Sequence, residues 1–416
     1  MVKRIAFLVL SIFVVSLPSA YAGTDEDIAA LQQQVRELTA ALQLVVKKLD
    51  SINPSDEVNA VQTLSSTDEK IGNWANNTKI KTDLRYRYEM IDEEDDRLAK
   101  GEDVRNRKRV RARISIQSKI SDALKVEVGL ATGGSDATST NQTFDNSFST
   151  KGINLDLAYF DWQIKNGLSI KGGKMKVPFY RPSSSSLVWD GDLRPEGLHA
   201  NWRSGPLFAN VGAFYIEEDE IDKQEAYLFS TQVGVSYEIG KSLLVTGVSF
   251  FNFDGLKNNS LSNLGGFNNR GNTVFNGALE NDYEVFEFFG EFKFMIADFK
   301  ASIFADYIVN KGVDDQANNG DNDTGYLAGF SLAKGSYSAK YSYEDLENDA
   351  TVSSFSDSDI FGGGTDGKGH AFKMSYSLNK QIKLAFTYFL SEEGGQAPLT
   401  SFTDYDRFQA DINFKF

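Results

Sequence analysis

The stretch Ile80-Lys81-Thr82-Asp83-Leu84-Arg85-Tyr86-Arg87-Tyr88-Glu89-Met90 alternates without a break. In an extended chain Ile80, Thr82, Leu84, Tyr86, Tyr88 and Met90 share one face, and Lys81, Asp83, Arg85, Arg87 and Glu89 share the other. The stretch from Arg109 to Gln117 repeats the pattern: Val110, Ala112, Ile114 and Ile116 oppose Arg109, Arg111, Arg113, Ser115 and Gln117. A helix would scatter these residues around its axis, so a period of two reads as β-strand. Similar dyads recur within 124–130, 207–215, 227–237, 299–307, 337–343, 372–378, 382–388 and 408–416. About sixteen such segments can be traced.

Their spacing orders them. Short connections at 121–123, 165–167, 204–206, 240–242, 297–298, 334–336 and 379–381 alternate with long ones at roughly 91–106, 132–151, 178–196, 217–226, 254–282, 310–324, 346–368 and 391–404. Seven short and eight long connections describe an even-stranded antiparallel meander with both ends on the short-turn side. The strands run to about 9–13 residues, the tilted length that crosses a bilayer. A soluble core could not hold so many charges on its second face, whereas a water-filled lumen can. Closure removes the edges that lipid would leave unpaired. The expected fold is therefore all-β, a 16-stranded antiparallel transmembrane β-barrel over 79–416, preceded by a short N-terminal coiled-coil helix.

The composition agrees. The chain has 416 residues, 12% aromatic, with 35 Gly, 7 Pro and no Cys. Without Cys there is no disulfide scaffold, thiolate metal site or cysteine nucleophile. Two histidines, His199 and His370, argue against a multi-histidine metal centre. A net charge of −15 argues against nucleic-acid binding. Mean hydropathy is −0.34, as expected where only alternate residues meet lipid. No run of apolar residues is long enough for a membrane-crossing helix.

The N-terminal segment has its own pattern. Lys3 and Arg4 precede an apolar stretch from Ile5 to Leu17, and Ala20-Tyr21-Ala22 supplies a cleavage signature, so 1–22 reads as a signal peptide. In 23–53, Ile28, Leu31, Val35, Leu38, Leu42, Val45, Leu49 and Ile52 keep an unbroken heptad stripe. Such a stripe favours self-association of helices. Residues 54–78 are polar and read as a linker.

Arg105, Arg107, Arg109, Arg111 and Arg113 share one strand face, with Arg85 and Arg87 beside them on the preceding strand. In lipid each would cost ~2–4 kcal/mol at the midplane, so this ladder is expected on the lumen wall. Arg85, Arg87, Arg107, Arg109, Arg111 and Arg113 are the candidate pore-lining residues.

Several stretches carry a resemblance. They are 83–89, 109–114, 122–133, Leu155-Asp156-Leu157-Ala158-Tyr159-Phe160, 172–179 and Trp189-Asp190-Gly191-Asp192-Leu193-Arg194-Pro195-Glu196-Gly197. Together they are similar to the putative-porin family of Gram-negative outer membranes, over residues 80–200; beyond that the likeness is one of barrel pattern. The terminal Phe416, with aromatic or apolar residues at alternate places before it, resembles the signal read by the outer-membrane assembly machinery. The resemblance implies a trimeric diffusion channel for ions and small hydrophilic solutes in the cell outer membrane, the N-terminal helix in the periplasm, and lipid and lipopolysaccharide around the barrel. It implies no cofactor and no enzymatic activity. In trimeric porins the third long loop folds inward, so Arg181, Asp190, Asp192, Arg194 and Glu196 in 178–196 are expected to face the ladder across a charged constriction.

Other signals are weaker. Gly362 to Gly369 imitates a phosphate loop but lacks the closing Ser or Thr and precedes a strand. Asp321 to Gly325 lacks the spaced Glu of a calcium loop. Acidic loops at 92–96 and 217–220 read as a solvated outer surface. Three alternatives to passive diffusion stand: a substrate-specific channel with an aromatic slide that could include Phe160, Trp162 and Phe179; a barrel anchor whose coiled coil tethers a partner or the cell wall; and a barrel hydrolase, for which no nucleophile motif stands out near His199.

Overall fold

The computed structural model describes residues 76–94, 104–218, 225–264, 267–313, 322–394 and 402–416. The expected leader, the heptad helix and nearly all of the linker lie outside them.

Sixteen long strands follow one another in antiparallel order. They are β1 Thr78–Glu93, β2 Arg105–Lys119, β3 Leu124–Thr132, β4 Ile153–Gln163, β5 Leu168–Lys174, β6 Glu196–Ser204, β7 Leu207–Glu217 and β8 Ala226–Ile239. Then come β9 Ser242–Asp254, β10 Tyr283–Ile296, β11 Phe299–Asn310, β12 Thr324–Lys334, β13 Tyr337–Leu346, β14 Gly367–Ser377, β15 Ile382–Glu393 and β16 Thr403–Lys415. β16 returns to β1, with Arg87 opposite Asp411 and Leu84 opposite Phe414, and closes the barrel. The amide of Thr82 donates to the Phe416 carbonyl at 2.9 Å, so Phe416 is tied to the first strand. Lengths run from 7 residues in β5 to 16 in β1, a wider spread than the sequence suggested.

The connections explain the meander. Gly205, Gly240, Ala297 and Gly335 open two-residue turns with φ of +54°, +62°, +50° and +57°. Positive φ at this position is what primed hairpin turns require. The long connections, named L1 to L8 in chain order (L2 is 133–152), leave the strands at the opposite end. Gln142–Thr143 in L2 pairs with Arg109 and Val110 of β2, extending the sheet where β3 is too short to reach.

Outward residues are apolar and exposed, among them Ile114, Val233, Val248, Phe288 and Ile303. Trp162, Trp202, Tyr237 and Tyr337 stand close to the short turns, and Tyr215 and Tyr326 close to the long loops, the girdle positions of a membrane barrel. Inward positions hold buried polar groups, including Glu89, Glu127, Gln232, Glu287, Glu344 and Arg407.

One feature departs from a uniformly polar lumen. A hydrophobic core lies between inward-facing wall residues and three loops. Phe214, Phe251, Phe253, Val285, Ile308 and Leu327 come from the wall. L3 (175–195) supplies Met175, Phe179, Leu187, Val188, Trp189 and Leu193; L5 (255–282) supplies Leu256, Leu264 and Leu279; L7 (347–366) supplies Val352, Ile360 and Phe361. The loops fold inward because this apolar surface would otherwise face water. The glycine run in L7 serves close approach: Gly362, Gly363 and Gly364 all have positive φ, and a Cβ on Gly364 would sit 2.0 Å from the Arg270 carbonyl oxygen in L5.

The outward face gives a direct expectation. Ile303→Lys should destabilise the barrel in lipid vesicles by ~2–4 kcal/mol, read as a shift in urea unfolding. The inward exchange Ser302→Lys on the same strand should cost clearly less.

Candidate channel constriction

The register of β1 against β2 sets Arg85 opposite Arg111 and Arg87 opposite Arg109. Like charges directly opposite are unfavourable, so these guanidiniums require acids between them. β1 and β16 supply several. Glu89, fully buried, accepts from Arg107 Nε at 2.6 Å on one oxygen and from Arg407 Nη2 at 2.5 Å on the other. Gln409 donates to the same carboxylate at 3.2 Å, and Arg87 and Arg109 lie 3.9 and 3.8 Å away. Asp411 takes a two-bond fork from Arg87, at 2.7 and 2.9 Å. Asp83 accepts from Arg111 at 2.6 Å. Bidentate charge-assisted bonds of this kind fix geometry as well as charge.

Two loop carboxylates complete the network. Asp192 of L3 pairs with Arg113 at 2.7 Å and lies 3.9 Å from Arg111. Asp359 of L7 pairs with Arg407 at 2.7 Å and with Arg87 at 3.5 Å. Burial alone would raise both carboxyls. For Asp192 the charges of Arg113 and Arg111, and for Asp359 those of Arg407 and Arg87, hold the group well below the usual carboxylate range. Arg85 reaches Asn141 of L2 at 2.5 Å. The ladder side chains are only 6–20% exposed, so they are engaged with acids and loops rather than free in water.

The other end of L3 is anchored across the lumen. Tyr180 Oη and the Ser183 amide donate to Glu291 of β10, the latter at 3.0 Å. The Tyr180 backbone exchanges two 2.9 Å bonds with the Gln232 amide of β8. Lys340 of β13 donates to the Ser183 carbonyl at 2.7 Å. In a closed ring of sixteen strands β10 lies opposite β2, so L3 crosses the bore from one wall to the other. L7 is fastened to it: the Asp190 amide donates to the Phe355 carbonyl at 2.7 Å, and Asp190 accepts from the Ser358 amide at 3.1 Å.

The five loop residues expected to face the ladder have different settings. Asp192 meets it. Asp190 is buried among loop amides; burial, with Asp357 and Asp192 nearby, pushes its carboxyl well up. Arg181 donates to the Trp189 carbonyl at 2.5 Å, and Arg194 pairs with Asp156 at 3.0 Å. Glu196 opens β6 and pairs with Lys174 at the rim. Phe160 and Trp162 share the outward parity of β4, while Tyr159 turns in to Glu127. Phe179 packs on Trp189 and Phe251. These three rings form no continuous track. Sequence reading did not single out Arg407, Gln409 and Asp411, although they alternate with the noted Phe408, Ala410 and Ile412; Asp359 lies in a loop without periodicity and gave no signal.

Asp192→Asn keeps the shape and removes the charge. It should cost ~1.5–3 kcal/mol in urea unfolding from vesicles. Because the folded-state carboxyl is depressed, that stabilisation is complete above the ordinary value of about 4 and is lost as pH falls through the lowered value. The difference between wild type and variant should stay constant from pH 8 to 5 and narrow only below about 4.

Comparison with known proteins adds family to geometry. The high-pH structure of Pseudomonas putida OprB aligns with a TM-score of 0.55 at 8% identity, covering 82% of this chain and 94% of that one. OmpT in its trimer form, an outer membrane protein of Vibrio cholerae, gives 0.46 at 12% identity, covering 82% and 99%. A mutant of Rh. blastica porin gives 0.45 at 10%, covering 82% and 100%. At such identities the likeness concerns the fold, and only the first is close enough to bear on it. A search of curated proteins gives no match. The family model described as putative porin matches residues 93–271 and 278–416, well over half of the sequence, and the chain belongs to that family.

Proposed function

We propose that this outer-membrane channel is a porin for passive diffusion of ions and small hydrophilic solutes, and that L3 against the arginine ladder is its charged constriction. The observation that carries the reading is the span of L3 from Glu291 on β10 to Arg113 on β2. A loop held at both walls narrows the bore. Rows of fixed charge along such a passage bias which ions pass. Lys81 and Lys293 remain about half exposed on the inward face, each paired with a carboxylate, Glu127 and Glu291, so the wall below L3 keeps ion pairs in contact with water.

The heptad stripe over 28–52 supports assembly as a homotrimer. β1 begins and β16 ends on the short-turn side, which is the periplasmic side in barrels of this kind and suits a periplasmic helix. Phe416, 76% exposed, suits recognition by the assembly machinery.

Two measurements test this. In planar bilayers, Arg111→Ser combined with Arg113→Ser should raise single-channel conductance by freeing Asp192 and shift reversal potential in a salt gradient toward cations. If both stay unchanged, the ladder does not line the path. Removing residues 24–60 should abolish the trimer in detergent while leaving conductance per barrel in place; a persisting trimer would remove the coiled coil from the assembly.

A further inference from the structure

The ladder guanidiniums are engaged with carboxylates, but L3 brings one further cation to the same side of the bore. Lys176, the second residue of L3, is exposed. The charged groups that act on it are Arg194 of L3, Glu127 of β3, Lys81 of β1 and Arg113 of β2. The last three face inward, so Lys176 stands in the bore. Its place is fixed from behind. The Met175 amide donates to the Pro195 carbonyl at 3.0 Å, tying the two arms of L3 together, and Met175 itself is buried in the apolar core.

Each of the other three cations has an acid of its own. Lys81 lies 3.3 Å from Glu127, Arg113 2.7 Å from Asp192 and Arg194 3.0 Å from Asp156. Glu127 also accepts from Ser115, Gln117 and Tyr159. Lys176 is the cation left over: among the described residues no carboxylate oxygen lies within 4.0 Å of its ammonium. Toward the short turns the same wall adds Lys79 and Lys125, both exposed, while its inward acid there, Asp161, lies 4.0 Å from Lys171. The acids of the far wall, Glu287, Asp306 and Glu344, are buried, so none of them stands in the water that Lys176 meets. An ammonium is a compact point charge without the rigid fork of a guanidinium. It draws anions by sign rather than by shape, and so attracts a passing solute without trapping it. We infer that Lys176 is a selectivity-determining residue of the constriction and biases passage toward small anions, inorganic or carboxylate. The inference deepens the diffusion-channel reading and rests on it.

The test uses the full chain in planar bilayers under a gradient of potassium chloride at low salt, where screening is weak. Wild type should prefer chloride. The chain has no Cys, so Lys176→Cys offers a single thiol. Its chloride-to-potassium permeability ratio should fall about threefold, the effect of one unit charge about 6 Å from an ion in water. A methanethiosulfonate reagent carrying a trimethylammonium group should restore the ratio, and one carrying a sulfonate should lower it further. Both changes are made in the same assembled barrel, which separates charge from folding. Lys176→Gln gives the same reading if the Cys variant does not assemble. A channel that prefers potassium, a ratio unchanged in the variant and after both labels, or a thiol that neither reagent reaches overturns the role of Lys176 and leaves the diffusion reading standing. A folded barrel that conducts nothing overturns the reading beneath it.

Discussion

Hydrocarbon offers a peptide group no hydrogen-bond partner. From that constraint the rest of this structure follows. Every strand must be paired on both sides, so β16 must meet β1, and the register of that seam is fixed by the alternation of both strands. A slip of β16 by one residue would turn Phe414 into the bore and Asp411 toward lipid, leaving Arg87 without its partner. The seam therefore joins two requirements at one place: backbone closure and the pairing of Arg87 with Asp411.

The inside of the barrel answers a different demand. An inward arginine row is tolerable only if water or acids surround it. Here acids do most of the work, and two of them arrive on loops. L3 also carries Trp189 to the apolar part of the far wall, where it packs on Phe251 and Phe253, while L7 sets Phe361 against β14 and β15, beside its own ion pair. L3 is thus held by charge on one side of the bore and by hydrophobic contact on the other. Neither attachment alone would fix the position of a loop that crosses the lumen, and the pair of them explains why the passage is shaped by loops while the wall stays regular.

How much of this could be read in the residues differs by element. The strands β1 and β2 were legible because Arg111, Ala112, Arg113 and Ile114 alternate without interruption, and turn chemistry at Gly205, Gly240 and Gly335 marked the short connections. The inward aromatic patch was not legible. Phe250, Phe251 and Phe253 lie on both faces of one strand, so the pattern cannot say which ring looks inward. In β4 the pairing with β3 skips Asp156, since Gly129 faces Leu157 and Leu130 faces Leu155, and this shift hid the parity of Phe160 and Trp162. Within 178–196, the sequence marks Asp190, Asp192 and Glu196 alike. Only the fold separates a carboxylate on the ladder from one buried among amides and one at the rim, because loop conformation depends on partners far along the chain.

The tie between Thr82 and Phe416 has a consequence for biogenesis. The sixteenth strand is the one that supplies the counter-charges of the first. Until it docks, Arg87 lacks Asp411, and Glu89 lacks Arg407 and Gln409. A sheet short of its last member would carry unmatched ions at an open margin, so partial cylinders gain little, and completion is driven to be all-or-none.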